Sequence, residues 1–556
     1  LCGIVGSISP EHLSPVLLVD RLHHRGPDDR GTREVTLPWG FGILGATRLS
    51  IVDATGTVPV PGYFPVVGVV IAFNGEVYNW RELRQELSDG TPWDTWCDTE
   101  VVAHAWRRWG VGMLGHVNGM FSFVLVDLRK NVVFLARDRS GEKPLYFSTL
   151  DGVFFFASEA KALGVPFVEG TCPEQDVLEF DCLDDTPFRG IKRLDPGHYL
   201  LLRDLSDLQV PKPEIWWRFP TDIDEDMTYT QAVDETEALL VDSIRLRSNT
   251  EVPTTALVSG GLDSAIVQAV AKFPLVLCCN FPQDGMDWLP QARLAAPGAE
   301  VVSVTFGLDE TLRDLDQIAF HLDTPATWTA LAQWFLAKEM HTRGYKVVLS
   351  GEGADELFAG YSRYRILWWV AQARQDPQLA KYQMLIDLMT GTDTDILAKM
   401  LDRSPQNRSY AQALRLVRQF STTGDLVGDM LRVEWHTTMQ CLLRMADRMM
   451  AAHSLENRSP FLDHRLIELA ARMPTRHKIT PTRSKAVLRD VALRVGVNPA
   501  IVNDPTKVGF VVPWNKWRGT QDEGGRGAWD RGDFARSLQT AWRRAFKLEE
   551  VNSSHA

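Results

Sequence analysis

Apolar positions in the first two hundred residues fall in short runs, at 66–73, 121–127, 132–136, 153–157 and 198–202. Gly, Asp and Asn punctuate these runs, as turns require, so the stretch predicts β-sheet buried on one or both faces. Helical spacing is clearest at 80–87 and 99–109. The pattern changes across 204–230, where 204–212 is polar and Pro211 and Pro213 interrupt any element. Residues 229–247 then predict a helix, with Ala232, Leu239, Leu240, Ile244 and Leu246 apolar. Strands predicted at 254–258, 275–280, 300–305 and 346–349 alternate with helical stretches such as 264–272, the signature of a doubly wound parallel sheet. From Arg365 the chain reads as mainly helical, and 520–532, rich in Gly and charge, is expected to be loose.

Composition narrows the class. The chain has 556 residues, 45% hydrophobic and 23% charged, which excludes collagen-like, disordered and disulfide-stapled classes. Acidic residues (71) outnumber basic ones (59), giving a net charge of −12, so neither a nucleic acid nor a membrane surface is expected as partner. The seven cysteines contain no Cys-x-x-Cys pair, which argues against a zinc site or a disulfide framework and for a reducing, cytoplasmic location. The longest uncharged run, 54–75, holds Pro59, Pro61 and Pro65 and is no membrane helix. No basic segment precedes an apolar one at the start, so no signal peptide is expected.

Two turns carry phosphate-binding chemistry. Ser259-Gly260-Gly261-Leu262-Asp263-Ser264 lies directly between a predicted strand and helix. Glycines let an anion approach the backbone, and a helix N-terminus offers free N–H groups and a positive dipole. Asp263 would repel phosphate unless it holds Mg²⁺. No Gly-Lys-Ser/Thr follows, so this is not a P-loop. A second turn, Ser350-Gly351-Glu352-Gly353-Ala354-Asp355-Glu356, follows the strand at 346–349. Both turns are expected at the carboxyl end of one parallel sheet, with Asp263 and Asp355 sharing Mg²⁺ and Glu352 a general base or an acid that positions an intermediate. A carboxylate-rich helix start is the simpler reading of the second turn alone.

The N-terminal Cys2-Gly3-Ile4 suggests a nucleophile. A thiol at residue one has its own α-amine as a base of near-neutral pKa. Polar segments at 24–28, 47–53 and 74–79 have no evident folding need, although Asn74-Gly75 also suits a hairpin turn. An arginine there can clamp an α-carboxylate, Asp98 can hold an α-ammonium, and Asn74 and Gly75 can donate to an oxyanion.

In combination these motifs resemble the glutamine-dependent asparagine synthetase family. The matching pieces are Cys2-Gly3-Ile4, His24-Arg25-Gly26-Pro27-Asp28, Arg48-Leu49-Ser50-Ile51-Val52-Asp53, Asn74-Gly75-Glu76-Val77-Tyr78-Asn79 and Asp98-Thr99-Glu100. Gly119–Phe123, Arg137–Arg139, Lys143–Tyr146 and Ser158–Leu163 match as well, as do both turns, the segment from Ser454 to Asp463, and Lys485 with Leu488-Arg489. The resemblance implies an α+β N-terminal-nucleophile glutaminase (an αββα sandwich) over 2–205, a linker at 206–228, an α/β ATP-pyrophosphatase-type synthetase with a helical C-terminal part over 229–520, and a partly flexible tail at 521–556. It implies that Cys2 attacks glutamine, that Arg48, Glu76 and Asp98 bind it, and that Asn74 and Gly75 form the oxyanion hole. It further implies that Leu257, Ser259, Gly260, Gly261, Asp263, Ser264, Ser350, Gly351 and Lys485 bind ATP and pyrophosphate. Lys485 and Glu352 serve catalysis, a carboxylic acid is the acceptor, and a homodimer is an expected assembly.

Two features depart from the family. Leu1 precedes Cys2; the reading adopted is an initiator residue that is removed, the alternative a chain limited to free ammonia. Related β-lactam synthetases and lasso-peptide cyclases generally lack the cysteine, so an intact Cys2, Arg48, Asn74 and Asp98 argues against an ATP-dependent cyclase or ligase. Retained Glu352, Asp355 and Lys485 argue against a non-catalytic protein. In addition, 322–331 lacks the arginine expected to meet an acceptor carboxylate, 280–301 is short, and Trp328 and Trp334 could line a more apolar pocket. Aspartate is the default acceptor, another small or biosynthetic carboxylic acid the alternative. Among weaker features, His23-His24 is read as loop rather than metal pair, Cys278-Cys279 as strand packing, Trp216-Trp217 as a plug between domains, and Lys507 as a contact to phosphate or acceptor.

Overall fold

The computed structural model describes residues 2–12, 18–53, 58–165, 186, 188–204, 212–323, 329–375, 392–401, 408–504, 512–517, 537–538, 540–541 and 543–545. The first half holds β1 (Cys2–Ser9), β2 (Asp29–Leu37), β3 (Gly40–Arg48), β4 (Gly62–Phe64), β5 (Val69–Val77) and β6 (Gly119–Asp127). It continues with β7 (Val132–Arg137), β8 (Tyr146–Leu150), β9 (Val153–Ala157), β10 (Lys192–Arg193), β11 (His198–Leu202) and β12 (Glu214–Ile215). They form two six-stranded antiparallel sheets, ordered β10-β8-β9-β1-β3-β2 and β12-β11-β7-β6-β5-β4.

The sheets face each other across a core of Ile4, Ile8, Leu44, Val70, Ala72, Val124 and Leu135. Successive residues of β5 point to opposite faces, and Val69, Ile71 and Phe73 pack instead under the helices Trp80–Glu86 and Asp98–Trp109. Both faces are dry, which is why this strand is a continuous apolar run rather than an alternating one. The strand starts at Val69, three residues later than the run, because Val67 and Gly68 turn onto Phe64. It also continues through Asn74-Gly75-Glu76, so that motif is strand and not hairpin turn.

The second half is built on β13 (Thr254–Leu257), β14 (Leu275–Cys279), β15 (Glu300–Val304), β16 (Val347–Leu349) and β17 (Glu456–Arg458). All neighbours are parallel, in the order β15-β14-β13-β16-β17. Alternate strand residues again feed two cores. Ala256, Val276 and Leu349 pack with the helices Tyr229–Ser248 and Leu262–Ala271. Leu257, Leu277 and Val348 pack with Leu308–Leu322, Thr329–Thr342 and Thr438–Ala451. No helix among the described residues is long and apolar enough to cross a membrane.

That second core is shared between the halves. Val5, Leu22, Tyr146 and Ala157 of the first half join Ile318, Leu322, Leu331, Met445 and Met449 of the second. Helices of the second half therefore cover the outer face of the β1 sheet. Trp216 and Trp217 sit where the halves meet: Trp216 stacks on Phe121 and donates to the Arg137 carbonyl, while Trp217 donates to Glu468. A buried ionic network lies beside this core. The Arg25 guanidinium grips Asp447 with two bonds of 2.9 and 3.0 Å and Glu159 with one of 2.7 Å. Arg448 bonds Glu159 at 2.8 Å and Asp323 at 3.2 Å, and Lys161 joins both carboxylates.

Burial alone would push the Asp447 carboxyl up, but Arg25 and Lys143 hold it below its ordinary value of 3.8. Its stabilising contribution is therefore present above pH 3.8 and lost as pH falls through the lower folded value. Asp447→Asn leaves Arg25 with Glu159 alone and takes the carboxylate beside Lys143 away, and is expected to cost about 3–5 kcal/mol, read from urea unfolding at neutral pH. A loss of a few tenths would mean that the network is not the lock between the halves. The variant should also lose part of its sensitivity to acid below about pH 4.

Candidate active sites

The first site lies where the two antiparallel sheets meet. Cys2 is directly opposite Arg48 in the β1–β3 ladder, and its backbone N–H donates across to Asn74 Oδ1 on β5 at 3.0 Å. Asn74 is fully buried; its amide nitrogen is 3.4 Å from Ser122 Oγ. Gly75 has φ 153°, and a Cβ there would sit 2.1 Å from the Met120 carbonyl, so only glycine fits. A cleft of about 570 Å³ opens here, lined by Cys2, Arg48, Leu49, Gly75, Glu76 and Asp98, among others.

Charge in the cleft is unbalanced. Asp98 opens the helix Asp98–Trp109 and accepts the Val77 N–H at 3.0 Å, yet burial pushes its carboxyl up to about 6. Burial pushes Glu76 up to about 8, against the pull of Arg458 and with the help of Asp98. Arg48 gives one guanidinium nitrogen to the carbonyls of Val52 and Asp53 at 3.0 and 2.8 Å. Its other, Nη1, is buried with no hydrogen-bond partner among the described residues. A ligand bearing an ammonium and a carboxylate fits: the ammonium relieves the two acids, and the carboxylate takes the unused Arg48 N–H. The Cys2 thiol is raised by burial, so attack needs a base beside it.

The second site lies at the switch point of the parallel sheet. Strand order reverses between β13 and β16, and a turn leaves each at its carboxyl end. Ser264 Oγ accepts the Ser259 N–H at 3.2 Å, and Ser259 Oγ accepts the Gly261 N–H at 3.3 Å, closing the first turn ahead of the helix Leu262–Ala271. Gly260 has φ 83°, a conformation that favours glycine. The turns touch: a Cβ on Gly351 would come within 2.9 Å of Asp263 Cβ. Lys485 Nζ joins them, 2.6 Å from both Asp263 oxygens and 2.7 Å from Asp355. Lys485 itself is left-handed, with φ 54°, ahead of the helix Ala486–Arg494, a strained backbone of the kind found at functional positions. Two carboxylates meeting at one point form a hard oxygen donor set that fits Mg²⁺.

Glu352 is held at both oxygens. Gln333 Nε2 donates to one and Asn457 Nδ2 to the other, each at 3.0 Å, while burial pushes the carboxyl up to about 7. Neither donor was anticipated from sequence. Gln333 was visible as the one polar residue in the apolar run from Ala330 to Ala337. Asn457 and Arg458 lie on β17, whose three polar residues give no strand signal.

The remaining expectations are local. His24 faces Glu159 at 3.1 Å, and no metal-binding cluster is found among the described residues. Cys278 and Cys279 are buried packing, and Trp334 is buried with its N–H on Asp314. Leu1, Lys507 and 324–328, including Trp328, lie outside the described residues.

Comparison with known proteins agrees with both halves. Residues 235–527 match the asparagine synthase family and 1–212 the glutamine amidotransferase domain family. The chain belongs to the asparagine synthase family. It is 30% identical to asparagine synthetase [glutamine-hydrolyzing] 1 of Bacillus subtilis over 93% of this chain and 88% of that protein. It is equally 30% identical to a putative asparagine synthetase [glutamine-hydrolyzing] of Mycobacterium tuberculosis, over 93% of this chain and 88% of that one. Amidase chyE of Penicillium rubens is 26% identical over 90% of this chain and 85% of its own length. This asparagine synthase-family chain is an ATP-dependent, glutamine-hydrolysing amidotransferase ligase.

With Glu352 near 7, AMP formation that uses its carboxylate is expected to rise with pH through about 7. Glu352→Gln should remove that limb and cut the rate by roughly 10²–10⁴-fold, with glutamate release from glutamine retained. A pH profile unchanged in the variant would take Glu352 out of the proton transfer.

Proposed function

We propose that this enzyme releases ammonia from glutamine at Cys2 and uses it to amidate a carboxylic acid activated with ATP at the second site, L-aspartate being the default acceptor. The observation that carries this reading is β17, one strand serving both sites, with Asn457 on Glu352 and Arg458 on Glu76.

At the first site, Cys2 Sγ adds to the side-chain amide carbon, and its proton passes to the cysteine's own α-amine in a chain that starts at Cys2. Asn74 and Gly75 donate to the oxyanion, and Arg48 with Glu76 and Asp98 hold the ends of glutamine. The C–N bond breaks, ammonia leaves, and water cleaves the thioester to glutamate. At the second site the acceptor carboxylate attacks the α-phosphorus of ATP and pyrophosphate departs. The turn of Ser259, Gly260, Gly261 and Ser264 at the helix N-terminus, with Leu257, Ser350 and Gly351 as neighbours, cradles the nucleotide, and Lys485 neutralises charge on the leaving group. Asp263 and Asp355 would hold Mg²⁺, which offsets the triphosphate charge when bound. Ammonia then attacks the acyl-adenylate, Glu352 accepts a proton, and AMP leaves. The apolar core shared by the halves suits this chemistry, since ammonia stays unprotonated where water is excluded.

A second acceptor is also supported. The family arginine is missing from 322–331, and relatives named amidases, chyE of Penicillium rubens and chry2 of Gibberella zeae, are 26% and 25% identical. The deciding experiment supplies amide-¹⁵N glutamine, ATP, Mg²⁺ and aspartate and follows products by mass spectrometry. Labelled asparagine with matching AMP is the expected outcome. Glutamate without labelled asparagine would move the acceptor to another carboxylic acid, and no glutamate at all would favour a cyclase or ligase that uses its substrate's own amine. Cys2→Ala should abolish glutamine use and spare synthesis from ammonium; equal loss of both would contradict two separate sites.

A further inference from the structure

All three side chains of β17 are buried: Glu456 is 0%, Asn457 7% and Arg458 1% exposed. A buried Glu-x-Arg strand is costly unless every charge is paired. Here each residue is committed, and to different places. Arg458 Nε donates to Glu456 Oε1 at 2.8 Å, and Nη1 donates to the Arg247 carbonyl at 3.0 Å. Its Nη2 stands 3.0 Å from Glu76 Oε2, at the wall of the glutamine cleft. That last contact is an ion pair without an aligned hydrogen bond, so it can tighten by a small reorientation.

The backbone of the same residue serves the other site. The Arg458 carbonyl accepts the Ser350 N–H at 3.1 Å, the first link of the second turn. Asn457, on the opposite face, holds Glu352, and Ser459 Oγ lies 3.3 Å from Ser350 Oγ. One rigid peptide segment therefore touches a glutamine-binding acid on one side and the nucleotide turn on the other. Glu76 is the element with two states: with the cleft empty, burial favours its neutral form, and an incoming ammonium favours the carboxylate, which draws on Arg458 more strongly.

We propose that Arg458 is a positioning residue that couples the two sites, so that an amino acid in the Cys2 cleft is felt at Ser350 and Glu352, and a nucleotide on the second turn is felt in the cleft. This rests on the reading of the cleft as a glutamine site. By linkage the two effects on binding are equal in size.

The test uses the full chain and follows glutamate release at varied glutamine, with and without saturating Mg²⁺–α,β-methylene-ATP, whose α–β bridge cannot be cleaved and which therefore occupies an ATP site without turnover. The wild-type KM for glutamine is expected to change by about 5-fold or more on adding the nucleotide. In Arg458→Lys, which keeps the charge and loses the fork, that ratio should fall toward unity. Glu76→Gln, which breaks the pair from the other end, should flatten it as well and decides the matter if Arg458→Lys does not fold. A purely structural role would shift stability and both KM values while leaving their ratio at the wild-type value, and that result would overturn the proposal. So would a wild-type ratio of one. Absence of any glutamate release would instead overturn the glutaminase reading, and the coupling with it.

Discussion

The fold depends on the burial of Arg25 against Asp447 and Glu159. Arg25 closes the 3₁₀ turn Val19–Arg25, its Nε donates to the Cys2 carbonyl at 3.0 Å, and its terminal nitrogens reach the second half. One side chain thus fixes the nucleophile strand and fastens the halves. The same network reaches Asp323, which ends the helix Leu308–Leu322 in a left-handed conformation and takes the Ala160 N–H at 2.9 Å. Asp323, the last residue described before 329, is thereby held by first-half residues. Buried ion pairs give little net stability compared with apolar packing, but they tolerate only one geometry. Beside an apolar shared core, which supplies the adhesion, the network supplies register.

Sheet geometry explains how a three-residue strand can serve two sites. Side chains alternate across a strand, so Glu456 and Arg458 share one face and Asn457 takes the other. β17 is the edge of the parallel sheet and faces the glutaminase half, so its outward pair meets Glu76 and its inward residue meets Glu352. A helix in that place would spread the same contacts over several turns and relax between them. A short strand paired with β16 reaches the turn at Ser350 directly, through the Arg458 carbonyl.

Much of this was legible in sequence because local chemistry and global fold agree. The strand–turn–helix at Ser259–Ser264 needs glycine, small hydroxyls and a following apolar helix, and those residues stand in that order. The strands β6, β7, β9 and β11 were visible as apolar runs between turn residues. What stayed hidden is polar and buried. Asn74-Gly75-Glu76 reads as a turn in isolation, and it is strand because Ser122, Phe121 and Met120 pair with it and Cys2 caps the asparagine. β17 is invisible for the same reason: Glu-Asn-Arg becomes a strand only when partners more than a hundred residues away neutralise it. Propensity describes a chain meeting water, and these segments never do.

The two chemistries make opposite demands on water. On the proposed mechanism, cleavage of a thioester at Cys2 consumes water, whereas an acyl-adenylate near Glu352 would be destroyed by it. Two separate sites joined through an apolar shared core suit both demands. Around Cys2 the acids Glu76 and Asp98 are raised by burial and await an ammonium; around Lys485 the acids Asp263 and Asp355 are already matched by a cation. The first cleft therefore gains most from a zwitterionic amino acid, and the second from an anion accompanied by further positive charge.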